Sequence, residues 1–324
     1  MAVPIAFSET DRIRLERTLA RFPGIDTEEA RAIISDIGAK GSIRAFGYGS
    51  LVDNPHTEID RKIRGQLPGW LKGFNCLDTH YRGTKQAPGL TLGLDKSDTP
   101  EAVTNGAILE NRIQSADEAI DFLEKFADRE IPPGMDIYTF AMIEVETDRG
   151  PMTGLVCVAN PDSDLYVGRH YSVEQKAELA AERIGDRRYD EDGRQINAGR
   201  GKRTSFQYAQ NAITNDLELG REPLPEMMAI FLKAGQRRAA MDPARRAALE
   251  ALERPLTDAQ RNDVAAAARR LEIMDETALA TAMSGLIPLD AGGAPAAAPT
   301  RPGPTNAQPR RLRAAKPHLP GACR

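Results

Sequence analysis

The segment Ile43-Arg44-Ala45-Phe46-Gly47-Tyr48-Gly49-Ser50-Leu51 sets a short apolar run against a turn punctuated by two glycines. Neither Gly47 nor Gly49 carries a Cβ, so the backbone can come close to a ligand there. A strand ending in such a turn leaves successive N–H groups pointing outward, a small nest for a carboxylate or a developing oxyanion. Taken alone, the same residues also describe a plain strand-to-helix turn with no ligand. The rest of the chain decides between the two.

From Ile43 to about Ala159 the pattern is strand-rich. Leu67-Pro68-Gly69-Trp70, Gly89 to Leu94 and Gly106 to Leu109 are predicted as short strands bounded by glycine or proline. Ile137 to Glu146 alternates loosely, and Thr153 to Val158 is a near-continuous apolar run. Between the strands lies a predicted helix, Asp117 to Asp128, with Ile120, Leu123 and Ala127 on one stripe and Phe122 and Phe126 beside it. Strands around a helix, without regular alternation, predict an α+β fold rather than a doubly wound parallel sheet.

Upstream, Ser8 opens a helix whose Ile13, Leu15, Leu19 and Phe22 are expected close to one face, and Asp26 to Ile37 forms a second helix with Ala30, Ile33, Ile34 and Ile37 buried. Downstream, Ser172 and Gln175 make a capping box for a helix reaching Ile184. Gly185 to Gly201 reads as a polar loop, and Thr204 to Leu219 as a helix stopped by Gly220. Pro225 to Arg270 reads as several amphipathic helices. Beyond Pro288 the composition turns to Ala, Pro and Gly with scattered Arg and Lys, too little apolar surface to offset its ordering entropy. The expected organisation is therefore a helical extension over 1–40, a main domain over 41–222, a second helical extension over 223–288 and a disordered basic tail over 289–324.

Composition narrows the function classes. A net charge of −4 argues against nucleic acid as the main partner of the body. No run approaches the roughly 18 apolar residues of a membrane span, and the charged start, Met1 to Phe22, lacks an apolar signal region. Cys76, Cys157 and Cys323 are far apart and odd in number, and the four histidines are equally scattered. This usage suits a reducing cytoplasm, with neither a disulfide framework nor a metal motif expected. Gly47-Tyr48-Gly49 lacks the third glycine of a dinucleotide fingerprint, and no phosphate loop is present. Ser50 is not inside a Gly-x-Ser-x-Gly elbow and has no nearby histidine in sequence, which disfavours a hydrolase triad.

Glu130 follows Arg129 at the predicted end of a helix and precedes Ile131-Pro132-Pro133-Gly134, which cannot continue it. A carboxylate there, beside apolar residues, is expected to be desolvated and raised toward neutral pH, fit to move protons. The alternative is a surface glutamate paired with Arg129 or Lys125.

Five ordered blocks bear on that choice: FGYGSLVDNP from Phe46, YRGTKQAPGLTLGL from Tyr81, FLEKFADRE ending at Glu130, ANPDSDLYVG from Ala159, and TSFQYAQNAITNDLELG from Thr204. In this order they resemble the ChaC-type gamma-glutamylcyclotransferases over roughly Ile43 to Gly220. The resemblance implies a mixed β-barrel with flanking helices, here with extra N- and C-terminal helices, acting on the gamma-glutamyl amide of glutathione without a cofactor. It implies that Tyr48, Gly49, Ser50 and Leu51 hold the gamma-glutamyl group, that Glu130 is the acid/base, and that Arg82 and Tyr208 bind substrate, with the Pro88-Gly89 turn shaping another wall. Two departures stand out: His80-Tyr81 replaces the family's usual Asp-His, and Ile131-Pro132-Pro133 its usual Lys-Gly-Gly.

The chemistry is consistent with the residue types. A gamma-glutamyl amide carries its own nucleophile, so the site needs no serine, cysteine or metal. It needs a folded substrate, an oxyanion nest and one acid that moves a proton. Arg200, Lys202 and Arg203 are candidates to meet the glycyl carboxylate. The alternatives are the same cyclisation on other gamma-glutamyl amides, or a regulatory binding protein built on this fold, of the cation-transport regulator type.

Overall fold

The computed structural model describes residues 3–53, 55, 57–99, 101–131, 136–168, 170–185 and 204–288. Arg200, Lys202, Arg203 and the 289–324 tail lie outside the described residues. In chain order the strands are β1 (Ser42–Gly47), β2 (Arg61–Pro68), β3 (Trp70–Asp78), β4 (Gly89–Lys96), β5 (Val103–Arg112), β6 (Tyr138–Thr147) and β7 (Met152–Ala159). Five of them close a barrel in the order β1-β5-β2-β6-β7, while β3 and β4 pair as a separate two-stranded sheet. All barrel neighbours are antiparallel except β1 and β7, which run parallel at Ala45–Leu155 and Phe46–Val156. The fold is thus α+β with a mixed barrel, as expected.

Strand β1 is buried on both faces. Phe46 belongs to the barrel interior with Ile63, Leu67, Ile108 and Val156, whereas Ile43 and Ala45 belong to a helical layer outside it. Strand β2 instead buries alternate residues (Ile63, Gly65, Leu67) and leaves Lys62, Arg64 and Gln66 exposed, the period-2 pattern of a strand with one wet face.

The outer layer comprises α1 (Glu9–Leu19), α2 (Thr27–Lys40) and α4 (Ala116–Glu130). Ser8, Asp26 and Ser115 cap them by accepting first-turn amides. Ala30, Ile33, Ile34 and Ile37 of α2 are all buried, together with Leu15, Leu19 and Phe22. Phe22 stacks on Phe126 at 6.1 Å and meets Phe140 of β6 edge-on at 5.0 Å, joining the N-terminal helices to barrel and α4. Ile13 is exposed, against expectation. It stands two residues from Leu15, about 200° around a helix of 3.6 residues per turn, and so cannot share that face.

On the other side, α5 (Val173–Glu182), α6 (Ser205–Glu218), α7 (Pro225–Ala239), α8 (Pro243–Glu250), α9 (Asp258–Arg270) and α10 (Glu276–Ser284) build a second core. Phe206, Ala209 and Ile213 of α6 lie in it with Met228 and Phe231 of α7 and with Phe74, Leu90 and Leu92 of the β3–β4 sheet. Arg238 is buried here. Its guanidinium lies 3.7 Å from the Phe206 ring centroid, donates to both Glu253 oxygens and donates to the Ala181 carbonyl.

Leu67-Pro68-Gly69-Trp70 is not one short strand but the junction of two: Leu67 and Pro68 end β2, Trp70 begins β3, and Gly69 alone makes the turn. Gly69 has φ 75°, a left-handed conformation that ends β2 and starts β3. Strand β3 was not legible because Lys72, Asn75 and Asp78 are polar. Each finds a partner in the fold: Lys72 donates to Asp216, the Asn75 NH2 donates to Asp95, and Asp78 accepts from Arg82.

The approach of β5 to the end of β1 requires Gly106, where an added Cβ would overlap the Gly47 carbonyl and the Phe46 ring. Gly106→Ala is expected to destabilise the protein by about 1–3 kcal/mol through overpacking. The check is a lowered urea midpoint at unchanged m-value.

Candidate active site

Strand β1 runs out at Gly47, Tyr48-Gly49 turn the chain, and the short helix α3 (Ser50–Asp53) begins. Glu130, the last residue of α4, faces the same space. Both border an open cleft of about 670 Å³, with Tyr48, Gly49, Ser50 and Leu51 on one wall and Arg82 and Tyr208 on another. All seven residues singled out from sequence are therefore brought together, though they come from β1's turn, the 78–89 connection, α4 and α6. The Pro88-Gly89 turn does not line the cleft. It backs Arg82-Gly83, where an added Cβ at Gly89 would overlap the Arg82 carbonyl.

Glu130 is paired with Arg129, but not as a solvated surface pair. Arg129 Nε contacts Glu130 Oε1, and the two side chains are only 6% and 17% exposed. Arg129 Nη2 also donates to Ser50 Oγ at 3.1 Å, linking the end of α4 to the start of α3. Lys125, the other candidate for Glu130, pairs with Asp121.

Arg82 is fixed from several directions. Its Nη1 donates to Asp78 Oδ2 at 2.6 Å and to Thr91 Oγ1 at 3.2 Å, and its guanidinium lies 3.6 Å from the Tyr208 ring centroid. Burial works against the charge, but Tyr208 and the Asp78 carboxylate outweigh it and hold the Arg82 pKa above the ordinary arginine value. Asp78 Oδ1 accepts the N–H groups of both His80 and Tyr81. The residues that depart from the usual Asp-His are thus organised by an aspartate slightly upstream.

The remaining walls hold neutral donors. Burial pushes the phenols of Tyr48 and Tyr138 and the thiol of Cys157 well above their ordinary pKa values, and the nearby Glu130 charge adds to the Cys157 shift. Tyr138 donates to the Leu92 carbonyl at 2.6 Å. Cys157 is a buried, protonated thiol, unsuited to act as a nucleophile.

Asp78, Tyr138 and Cys157 were not found from sequence. Asp78 stands four residues before Arg82, an ion-pair spacing that offered a clue, but the strand positions of Tyr138 and Cys157 gave no sign of which face each takes. Arg129 entered only as a rival partner for Glu130.

A cleft with a glycine-bounded turn, a half-buried acid, two fixed arginines and uncharged phenols and thiol has the groups that acid–base work on a small polar molecule requires. Residues 43–188 match the ChaC-like protein family model. A zebrafish (Danio rerio) relative named glutathione-specific gamma-glutamylcyclotransferase 1 is 26% identical over 147 residues, covering 44% of this chain and 71% of that one. The Escherichia coli glutathione-specific gamma-glutamylcyclotransferase is 28% identical over 122 residues, 38% of this chain, which spans about half (49%) of that relative. A solved yeast gamma-glutamyl cyclotransferase specific to glutathione aligns with a TM-score of 0.49 at 16% identity, over 62% of this chain and 99% of that one. Among the described residues no helix is long and apolar enough to cross a membrane.

Asp78→Ala would strand the buried Arg82 charge and orphan two amides. It is expected to cost about 3–5 kcal/mol of stability, and Asp78→Asn, which keeps an acceptor, less. Equilibrium denaturation of the two variants checks the ranking.

Proposed function

We propose that this protein is a gamma-glutamylcyclotransferase that cleaves glutathione to 5-oxoproline and Cys-Gly. The observation that carries the proposal is the position of Glu130, whose carboxylate borders the same cleft as the Tyr48–Leu51 turn. The names of the relatives supply the substrate class.

In this mechanism the glutamyl chain folds so that its α-amine lies over the γ-carbonyl carbon, a near-attack geometry. The amine nitrogen bonds to that carbon and closes a five-membered ring. The first turn of α3 leaves N–H groups without intrahelical acceptors, and these face the developing oxyanion. Glu130 takes the proton from the amine and delivers it to the amide nitrogen as the C–N bond breaks. Arg129 engages Oε1, and Oε2 has no hydrogen-bond partner among the described residues, leaving it to meet substrate. The free, buried Cys76 and Cys157 accord with a reducing cytoplasm as the place of work.

Glu130→Gln is expected to fold and bind glutathione within a few-fold of the parent while turnover falls about 10²–10⁴-fold, read as 5-oxoproline formed. Parental turnover would remove Glu130 from the mechanism. Ser50→Ala loses only the acceptor for Arg129 and keeps its backbone N–H, so its kcat is expected to fall less than about ten-fold. A Ser50→Ala protein as inactive as Glu130→Gln would assign the hydroxyl a direct role.

A further inference from the structure

The cleft does not end at Glu130. Tyr48, Gly49, Arg129 and Tyr208 also border a second chamber of about 970 Å³ that runs along α6. Lys72 of β3, Asn105 of β5 and Asn211, Asn215 and Asp216 of α6 line it, with Arg221 just past the helix end. We propose that this chamber is the subsite for the leaving half of the substrate, and that Arg221 recognises a carboxylate on that half. The assignment rests on the cyclotransferase function proposed above.

The charge inventory favours an anion. Three cations, Lys72, Arg129 and Arg221, face the chamber against one carboxylate, Asp216. Lys72 is committed to Asp216 at 2.6 Å with both buried, and Arg129 is committed to Glu130. Arg221, half-buried, makes no ion pair with a carboxylate among the described residues. The amides beside it are polarised the same way. Asn211 Oδ1 accepts from Gln207 and Asn105 Oδ1 accepts from Gln66, so each has its NH2 left to offer a ligand. Donors and a cation together fit the carbonyls and terminal carboxylate of a short peptide.

Backbone geometry fixes Arg221 in place. Gly220 takes φ 68°, its N–H donates to the Leu217 carbonyl at 2.9 Å, and the Arg221 N–H donates to the Asp216 carbonyl at 2.8 Å. These are the two bonds of a Schellman motif, which folds the residue after the glycine back beside the last helical turn. Arg221 is therefore returned to the chamber beside Asp216 instead of trailing away from α6.

The test compares kcat/KM for glutathione and for its C-terminal amide, gamma-glutamyl-cysteinyl-glycinamide, in the full-length protein. The parent is expected to favour the free acid by about ten- to hundred-fold, the range of a hydrogen bond to a charged group. Arg221→Gln is expected to collapse that ratio toward one, mainly through KM on the acid, and Arg221→Lys to restore part of it. A ratio unchanged in Arg221→Gln overturns the assignment and leaves the cyclotransferase function standing, as does an equal fall on both substrates. Joint neutralisation of Arg200, Lys202 and Arg203 that abolishes the ratio while Arg221→Gln keeps it moves carboxylate recognition to that segment. A parent that cleaves neither substrate overturns both proposals.

Discussion

Burial of β1 on both faces is the constraint from which the arrangement follows. Phe46 must fill the barrel while Ile43 and Ala45 meet the helices, so neither side of the strand can turn toward water. A strand held this way can present a ligand-binding backbone only at its end. The end comes at Gly47, where Gly106 lets β5 pass close enough to keep the ladder intact up to the turn. Because α4 packs on the outer face through Phe122 and Phe126, its C-terminus arrives beside that turn, carrying Arg129 and Glu130.

The polar layer of the site is arranged in linked pairs. Arg129 spans Glu130 and Ser50, Asp78 holds Arg82, and Lys72 holds Asp216. Each pair joins segments distant in sequence or steadies a connection, and each limits the freedom of a charge that would otherwise be costly to bury. Neutral phenols and a protonated thiol fill the space between them. The two spaces meet at the Tyr48–Gly49 turn, which borders both.

Much of this was legible in the chain. Glycine punctuation marked the turn, the Ala30-Ile33-Ile34-Ile37 stripe marked a helix face, and Ser8, Ser172 and Thr204 marked helix starts that the capping bonds bear out. Local signals failed where tertiary partners did the work. Strand β3 hid behind Lys72, Asn75 and Asp78, polar side chains that pair with Asp216, Asp95 and Arg82 once the chain is folded. The burial of Arg129 and the position of Arg221 beside the second chamber depended on how α4 and α6 approach the barrel, which periodicity does not encode. Ile13 shows the converse error, an apolar side chain assigned inward although its angular position on α1 points it to solvent.

Tyr208 and the asparagine face of α6 lie beyond residue 188, where the match to the family model stops. The helix that bears them is held by Arg238, which rests on Phe206 and grips Glu253 and the Ala181 carbonyl. Shortening the chain ahead of α7 would empty the space behind Phe206 and let the far wall of both chambers drift. The C-terminal helices are thus a buttress for α6, so a change in their packing reaches the cleft wall without altering a single residue that lines it.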